Sequence, residues 1–460
     1  MNTDRKEEDE AMNKKRWNCK IPKCFCQTTH PRKALLILSS AFFLLCVTQY
    51  SVILTPPDSM RDSVLATTVL NVSIPNPFWF EPYVDRIARP FVPFRGIEWC
   101  HIDTRQSASI QEFAHKAETS LSPSEPLRGF MLTKVHKAGS TTAAGVTLSI
   151  AHRVARRRLA AEMSQANKEG VASPSTPMCH SHFYHLFAME NFHSNRNPTT
   201  SFLWTTVRLP HRRAESAFYY YHPEHYDDEE EHLKFLSLSR GFQLQLIRKR
   251  NERLSEINGN LYLSSGQKPP HQGIPDNSII ITNPDYLALE HVRREVLDHY
   301  NFVAVTERWA ESMVVLKLLL PGVQYSDLVV LRTKERGAFV RHGLHSCAYI
   351  PDVPSPPDRI QTYLDGPFRD TNPDYLLYAA VNRSLDMTIE RLGRHRVEEG
   401  VRQIQYFQSL AQEHCTNKSY LPCSDDGDFQ EGDCYVRDFG CGYKCIGNVL
   451  SQQDEENNES

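Results

Sequence analysis

The sequence predicts an α/β fold, a central parallel sheet flanked by helices. Strand-like apolar runs at Gly129–Thr133, Met178–Phe183, Phe202–Val207 and Asn301–Val305 alternate with longer amphipathic patterns. That order suits parallel strands joined by helical crossovers. The first run feeds Lys134-Val135-His136-Lys137-Ala138-Gly139-Ser140-Thr141-Thr142, and a helical pattern extends from Thr141 to about Ala161. One further long apolar run, Ala34–Leu54, lies far upstream of all of these.

The elements fall into five stretches. Residues 1–33 form a charged tail with no helical or strand period. Ala34–Leu54 approaches the ~20 residues that span a bilayer. Lys14, Lys15, Arg16, Lys20, Lys23, Arg32 and Lys33 precede it, and Asp58, Arg61 and Asp62 follow, so the N-terminus is expected in the cytosol and the rest in a lumen. The long basic leader argues against a cleaved signal peptide. Residues 55–127 read as a stem and lead-in, rich in Pro at the start. Residues 128–395 hold the globular pattern, and 396–460 form a Cys-rich extension. Ala172–Pro177 and Asn258–Asn277 read as loops. The formal net charge of −3 names no partner.

Cysteine usage agrees with that topology. Cys19, Cys24, Cys26 and Cys46 precede or lie within the span; Cys100, Cys179, Cys347, Cys415, Cys423, Cys434, Cys441 and Cys445 follow it. An even set in an oxidising compartment is expected to form disulfides, though spacing leaves the pairing open. A zinc knuckle in the last five is the less favoured alternative. The glycosylation sequons at Asn71, Asn382 and Asn417 all fall on the lumenal side.

Lys134–Thr142 has the chemistry of an anion loop. Amides at a helix start have no intrahelical acceptor, and the helix dipole adds positive potential there. Lys137 supplies a mobile charge, Gly139 allows close backbone approach, and Ser140, Thr141 and Thr142 carry hydroxyl donors. Its Lys precedes the Gly, which differs from a Walker A sequence and argues against an ordinary ATPase or kinase.

A second motif, Arg208-Leu209-Pro210-His211-Arg212-Arg213-Ala214-Glu215-Ser216, follows the strand Phe202–Val207. Arg208 sits at a carboxyl strand end, where open α/β sheets bind ligands, and Ser216 could join it around a second phosphate. Cys179-His180-Ser181-His182-Phe183 forms a third candidate. In a strand, His180 and His182 share a face and suit metal ligation or a base with a supporting neighbour. No adjoining carboxylate completes a metal site. The basic residues Arg153, Arg156, Arg157 and Arg158 read as a solvated face, with attraction of an anionic glycan the sharper alternative.

Together these residues resemble the membrane-bound carbohydrate sulfotransferases of the Golgi. Lys134, His136, Lys137, Gly139, Ser140 and Thr142 match the 5′-phosphosulfate loop K-T-H-K-T-G/A-S-S-T of the galactose-3-O-sulfotransferase branch, while Val135, Ala138 and Thr141 depart from it. Arg208, Pro210, Glu215, Ser216, Phe218, Tyr220 and Tyr221 match the 3′-phosphate motif R-D-P-x-x-x-F-E-S-S-F-x-Y-Y, with Leu209 and Ala214 departing. Thr306-Glu307-Arg308-Trp309-Ala310-Glu311-Ser312 is similar to T-E-R-F-D-E-S, and Asp374–Tyr378 with Asn382 to D-x-x-L-Y-x-x-x-N. The His-Ser-His run is closer to the H-G-H of uronyl 2-O-sulfotransferases.

The resemblance spans about Gly129–Leu392 and implies a P-loop-like sheet in a Golgi type II membrane protein with a lumenal catalytic domain. It implies transfer of a sulfuryl group from 3′-phosphoadenosine 5′-phosphosulfate to a hydroxyl of a galactose-containing or related glycan, on lipid or protein. Lys137 and His182 become the catalytic residues. Lys134, His136, Lys137, Ala138, Gly139, Ser140, Thr141, Thr142, Arg208 and Ser216 hold the donor, and His180 contacts the acceptor. Neither a metal nor nucleic acid is expected, and self-association stays open. The alternatives are a uronyl or glycosaminoglycan 2-O-sulfotransferase, a metal-dependent glycosyltransferase using Asp426-Gly427-Asp428, and a non-catalytic glycan-binding protein.

Overall fold

Three of the expected strands pair in parallel, with the longest in the middle. A computed structural model describes residues 80–99, 127–169, 196–222, 225, 227–247, 289–331, 338–340, 347–349, 355–419, 422–423, 428–430, 432–435 and 439–450. The chain divides into two units, Met1–Ser73 and Ile74–Ser460, and every described residue belongs to the second. Strands β1 (Leu127–Thr133), β2 (Arg196–Val207) and β3 (Phe302–Val305) stand in the order β1-β2-β3. Phe130 is registered with Phe202, and Trp204 with Phe302. Phe202–Val207 and all of β3 are buried, so the strands read as unbroken apolar runs and not as alternating ones.

Parallel neighbours need crossovers. Helix α1 is Glu81–Ile87, before the sheet, and α2, Ser140–Glu169, leads from β1 toward β2. Between β2 and β3 come α3 (Pro210–Tyr221), α4 (Glu229–Leu238), α5 (Phe242–Ile247) and the helical turns His291–Leu297. After β3 follow α6 (Trp309–Leu319), a small antiparallel pair β4 (Ala338–Val340) and β5 (Cys347–Tyr349), then α7 (Asp374–Leu392) and α8 (Arg394–Cys415).

Two expected boundaries move. Residues 80–99, read as stem and lead-in, lie on the domain: Phe80, Ile87, Phe91 and Trp99 join the main core. The Phe91 ring meets Phe302 edge-on at 5.2 Å, and its amide donates to Thr388 Oγ1 at 2.8 Å. The aromatic residues of this segment gain more by burial than a solvated spacer could. At the other end, α8 crosses the expected limit at 395/396 and packs on α6. A Cβ on Gly400 would come within 2.6 Å of Val314 Cγ1.

Disulfides Cys347–Cys423, Cys415–Cys445 and Cys434–Cys441 tie the C-terminal segment, so these six cysteines are cross-links and not a zinc knuckle. The basic face of α2 is also employed inside the molecule: Arg157 forms a fork on Asp327 at 2.8 and 2.6 Å. Met178–Phe183, Ala34–Leu54 and Asn258–Asn277 lie outside the described residues. Among the described residues, no helix is long and apolar enough to cross a membrane.

Candidate functional site

The carboxyl ends of β1 and β2 place two strand-to-helix turns side by side. At the first, Lys134 is buried and Val135 fully so, while His136 and Lys137 are half-buried. Ala138 N–H donates back to Val135 O at 3.3 Å. Lys137 takes a φ of 64° and Gly139 a φ of 71°. The left-handed region suits glycine, but for Lys it costs on the order of 1 kcal/mol. Such strain in a non-glycine residue is concentrated at functional sites. Gly139 O then accepts from Ala143 N at 3.0 Å and starts α2. The amides of Ser140, Thr141 and Thr142 therefore belong to the helix end that has no intrahelical acceptors. Ser140 is buried, whereas Thr141 and Thr142 are half-exposed.

The second turn is held by side chains from elsewhere. Arg208 N–H donates to Gln243 Oε1 at 2.8 Å, and Gln243 Nε2 donates to Arg208 O at 2.8 Å. Leu209 N–H donates to Glu307 Oε1 at 2.9 Å. Pro210 opens α3, where its missing N–H costs nothing. Gln243 is itself anchored, because its amide donates to the buried Asp374 carboxylate at 3.0 Å and Leu244 N–H does the same at 2.9 Å. This polar underlay is where α7 fixes the Arg208 backbone.

The turns touch. Arg208 Nη1 donates to Lys137 O at 3.1 Å. Thr306 Oγ1 stands 3.0 Å from Ala138 O and 2.9 Å from Val207 O, so it links both turns to the end of β3. Lys137 Nζ lies 4.0 Å from the centroid of the Tyr220 ring on α3. His136 Nδ1 and the Tyr221 hydroxyl are 2.5 Å apart. Ser216 precedes Tyr220 by one turn and shares its face, as does Arg212 one turn earlier.

Charges around the start of α3 are tuned by burial. Burial lowers the Arg208 guanidinium below its ordinary range; the Glu307 and Glu215 carboxylates oppose this, and Arg212 adds to it. Burial, then Arg212, pushes the His211 imidazole down to about 4, so it is neutral at pH 7; its Nδ1 lies 3.0 Å from the Tyr375 hydroxyl. Burial raises the Glu215 carboxyl, with Arg212 and Arg208 pulling it back. The arrangement presents Lys137, Arg208 and Arg212 near two helix N-termini, a donor set suited to an anion with two charged ends.

Lys137, Ala138 and Gly139 thus come from the first turn, Ser140, Thr141 and Thr142 from the start of α2, and Arg208 from the adjoining second turn, while Ser216 lies farther along, inside α3. Lys134 and His136 are directed to other neighbours: the Lys134 ammonium lies 4.2 Å from the centroid of the Phe439 ring, and His136 pairs with Tyr221. His180, His182 and Asn71 lie outside the described residues. Asn417 is exposed in a turn after α8, whereas Asn382 is half-buried within α7 and its Oδ1 accepts from Arg308 Nη1 at 2.9 Å. Sequence reasoning missed Arg212, Gln243, Thr306 and Glu307 as site residues. Arg212 carried a local signal, four residues from both Arg208 and Ser216, and Thr306 and Glu307 open the segment similar to T-E-R-F-D-E-S; Gln243 carried none. No protein family, characterised protein or solved structure matches this chain.

Proposed function

We propose that this chain is a carbohydrate O-sulfotransferase of the Golgi membrane, a single-pass type II protein anchored by Ala34–Leu54, with a P-loop-like catalytic domain in the lumen. It takes 3′-phosphoadenosine 5′-phosphosulfate as donor and a hydroxyl of a galactose-containing or related glycan, on lipid or protein, as acceptor. One observation carries this reading. The Arg208 guanidinium donates to the carbonyl of Lys137, 71 residues away in sequence, so the two anion-binding motifs form one site.

The donor supplies an activated sulfuryl group between a leaving phosphate and the incoming oxygen. The turn Lys137–Thr142 grips the 5′ end through amides of the α2 terminus and hydroxyls of Thr141 and Thr142. Arg208 and Ser216, with Arg212 beside them, hold the 3′-phosphate and so favour this nucleotide over ADP or ATP. Lys137 neutralises charge growing on the bridging oxygen as the S–O bond to the nucleotide breaks. A new bond forms between the acceptor oxygen and sulfur, and the acceptor proton passes to His182, with His180 contacting the glycan. Positioning and charge stabilisation supply most of the rate, as in phosphoryl transfer.

The test uses the full-length chain in detergent, radiolabelled sulfate donor and a panel of galactose- and uronate-containing glycans. Label should pass to galactose-terminated acceptors and be lost in Lys137→Ala and His182→Ala. Transfer only to uronates would favour the 2-O alternative. A chain with no affinity for adenosine 3′,5′-bisphosphate would overturn the assignment altogether.

A further inference from the structure

Lys134 and Lys137 stand three residues apart in one turn, yet their ammonium groups go to different parts of the molecule. Lys137 lies over Tyr220 of α3, and Lys134 lies over Phe439, within the loop closed by the Cys434–Cys441 disulfide. We propose that Phe439 is a positioning residue of the donor site: it holds the Lys134 ammonium as a fixed positive charge at the base of the anion loop. This rests on the proposed nucleotide site and assigns the C-terminal segment a role there.

The loop is built to deliver that ring. Tyr435 N–H donates to Phe439 O at 3.0 Å and closes it, while Gly442 N–H donates to Asp433 O at 3.0 Å. Gly440, with a φ of 64°, turns the chain directly after Phe439. Gly440 also meets the backbone of α2, since a Cβ on Gly145 would come within 2.8 Å of Gly440 N. Farther along α2, the Tyr435 ring lies 5.6 Å from that of His152, and its hydroxyl bonds with Ser149 and Arg153. Residues 145, 149, 152 and 153 recur at helical spacing, so one face of α2 receives the loop.

The donor turn is consequently gripped at both ends. Phe439 covers its first residue, and Gly440 with Tyr435 braces the helix it starts. Phe439 and Lys134 are both buried, at 5% and 7% exposure. A cation over an aromatic face is held more strongly when water is excluded. A charge fixed in a low-dielectric setting also acts farther on a bound anion than a solvated one does. Lys134 then aids binding through the field it adds, with no need to touch the phosphate.

The experiment is calorimetric titration of the full-length chain with adenosine 3′,5′-bisphosphate, together with donor KM and kcat. Phe439→Leu keeps apolar bulk and removes the ring face, and Lys134→Met keeps the stem and removes the charge. Each should weaken binding on the order of ten-fold and raise KM more than it lowers kcat. Phe439→Tyr should restore affinity. The double variant should be no weaker than either single one, because the two residues act as a pair. Additive losses, or wild-type affinity in both singles, would reject the role of Phe439 and leave the proposed function standing. Wild-type protein that fails to bind the bisphosphate would instead remove the proposed function itself. If Phe439→Leu does not fold, Lys134→Met against Lys134→Arg decides the matter: equal affinity in those two rejects the fixed-charge role.

Discussion

The two turns at the carboxyl ends of β1 and β2 reach similar positions by opposite means. After β1, the chain bends through left-handed residues, Lys137 and Gly139, and its amides turn toward the start of α2. After β2, no left-handed residue is needed. Arg208 and Leu209 are pinned by Gln243 and Glu307, which arrive from later elements, and Pro210 opens α3. The first turn carries its shape in its own residues at a local cost in strain. The second is shaped by its surroundings and places its guanidinium with little freedom. The proposed sulfuryl transfer would have use for both: a rigid anchor for one end of the donor and a turn whose Lys can follow developing charge at the other.

Removing the anchor should have the largest effect. Arg208→Ala is expected to weaken adenosine 3′,5′-bisphosphate binding by about 100-fold or more by calorimetry, as expected when a buried charge contact is deleted. Arg208→Lys should recover only part, since it lacks the planar fork. Near-native affinity in Arg208→Ala would show that the second turn is not an anchor.

Attacking the support of the second turn comes next. Gln243→Leu leaves the Arg208 N–H and C=O without the partners they have now. It should lower stability by about 1–3 kcal/mol, read from denaturant unfolding. An unchanged midpoint would mean that the second turn does not depend on Gln243 for its shape.

The first turn predicts a split between stability and activity. Lys137→Gly relieves the left-handed cost and should raise stability by up to about 1 kcal/mol while abolishing transfer. Gly139→Ala should do the reverse to stability, costing about 1–2 kcal/mol, because its φ is 71° and the new Cβ would lie 3.3 Å from Thr306 Cγ2. Loss of stability in Lys137→Gly would refute stored strain at this position.

The smallest effect concerns Asp374, beneath the second turn. Burial raises its carboxyl from 3.8 to about 6, against the pull of Arg213 and of the Gln243 and Leu244 amides. The native state therefore binds this proton more tightly than the unfolded chain. Its contribution to stability is greatest below 3.8 and declines as pH rises through about 6. The melting-temperature difference between wild type and Asp374→Asn should change across pH 4–6.5 in that direction, wild type losing ground as pH rises. A constant difference would place the titration elsewhere.

Much of this architecture was legible from local pattern. Gly129–Thr133, Phe202–Val207 and Asn301–Val305 were apolar runs of strand length, and all pair in the sheet. The helix expected from Thr141 begins one residue earlier, at Ser140, and continues to Glu169, past the expected end near Ala161, because Ala166 is still buried. Other features had no local signature. Phe80–Pro93 read as part of a stem because that stretch is rich in Pro, yet Phe80 and Phe91 dock on the core. Arg157 read as part of a solvated face because its partner Asp327 lies 170 residues away.

By itself, the sequence determined the three strands of the parallel sheet, the two turns that follow β1 and β2, and the cations those turns carry. Period, turn chemistry and residue type are properties of a few neighbouring positions, so they can be read without the fold. Only the tertiary structure decided that Arg208 would meet Lys137, that Gln243 would clamp the second turn, and that Lys134 would lie under a ring from the C-terminal loop. Those outcomes depend on which distant segments compete for the same buried space. That competition is resolved by packing the whole chain at once.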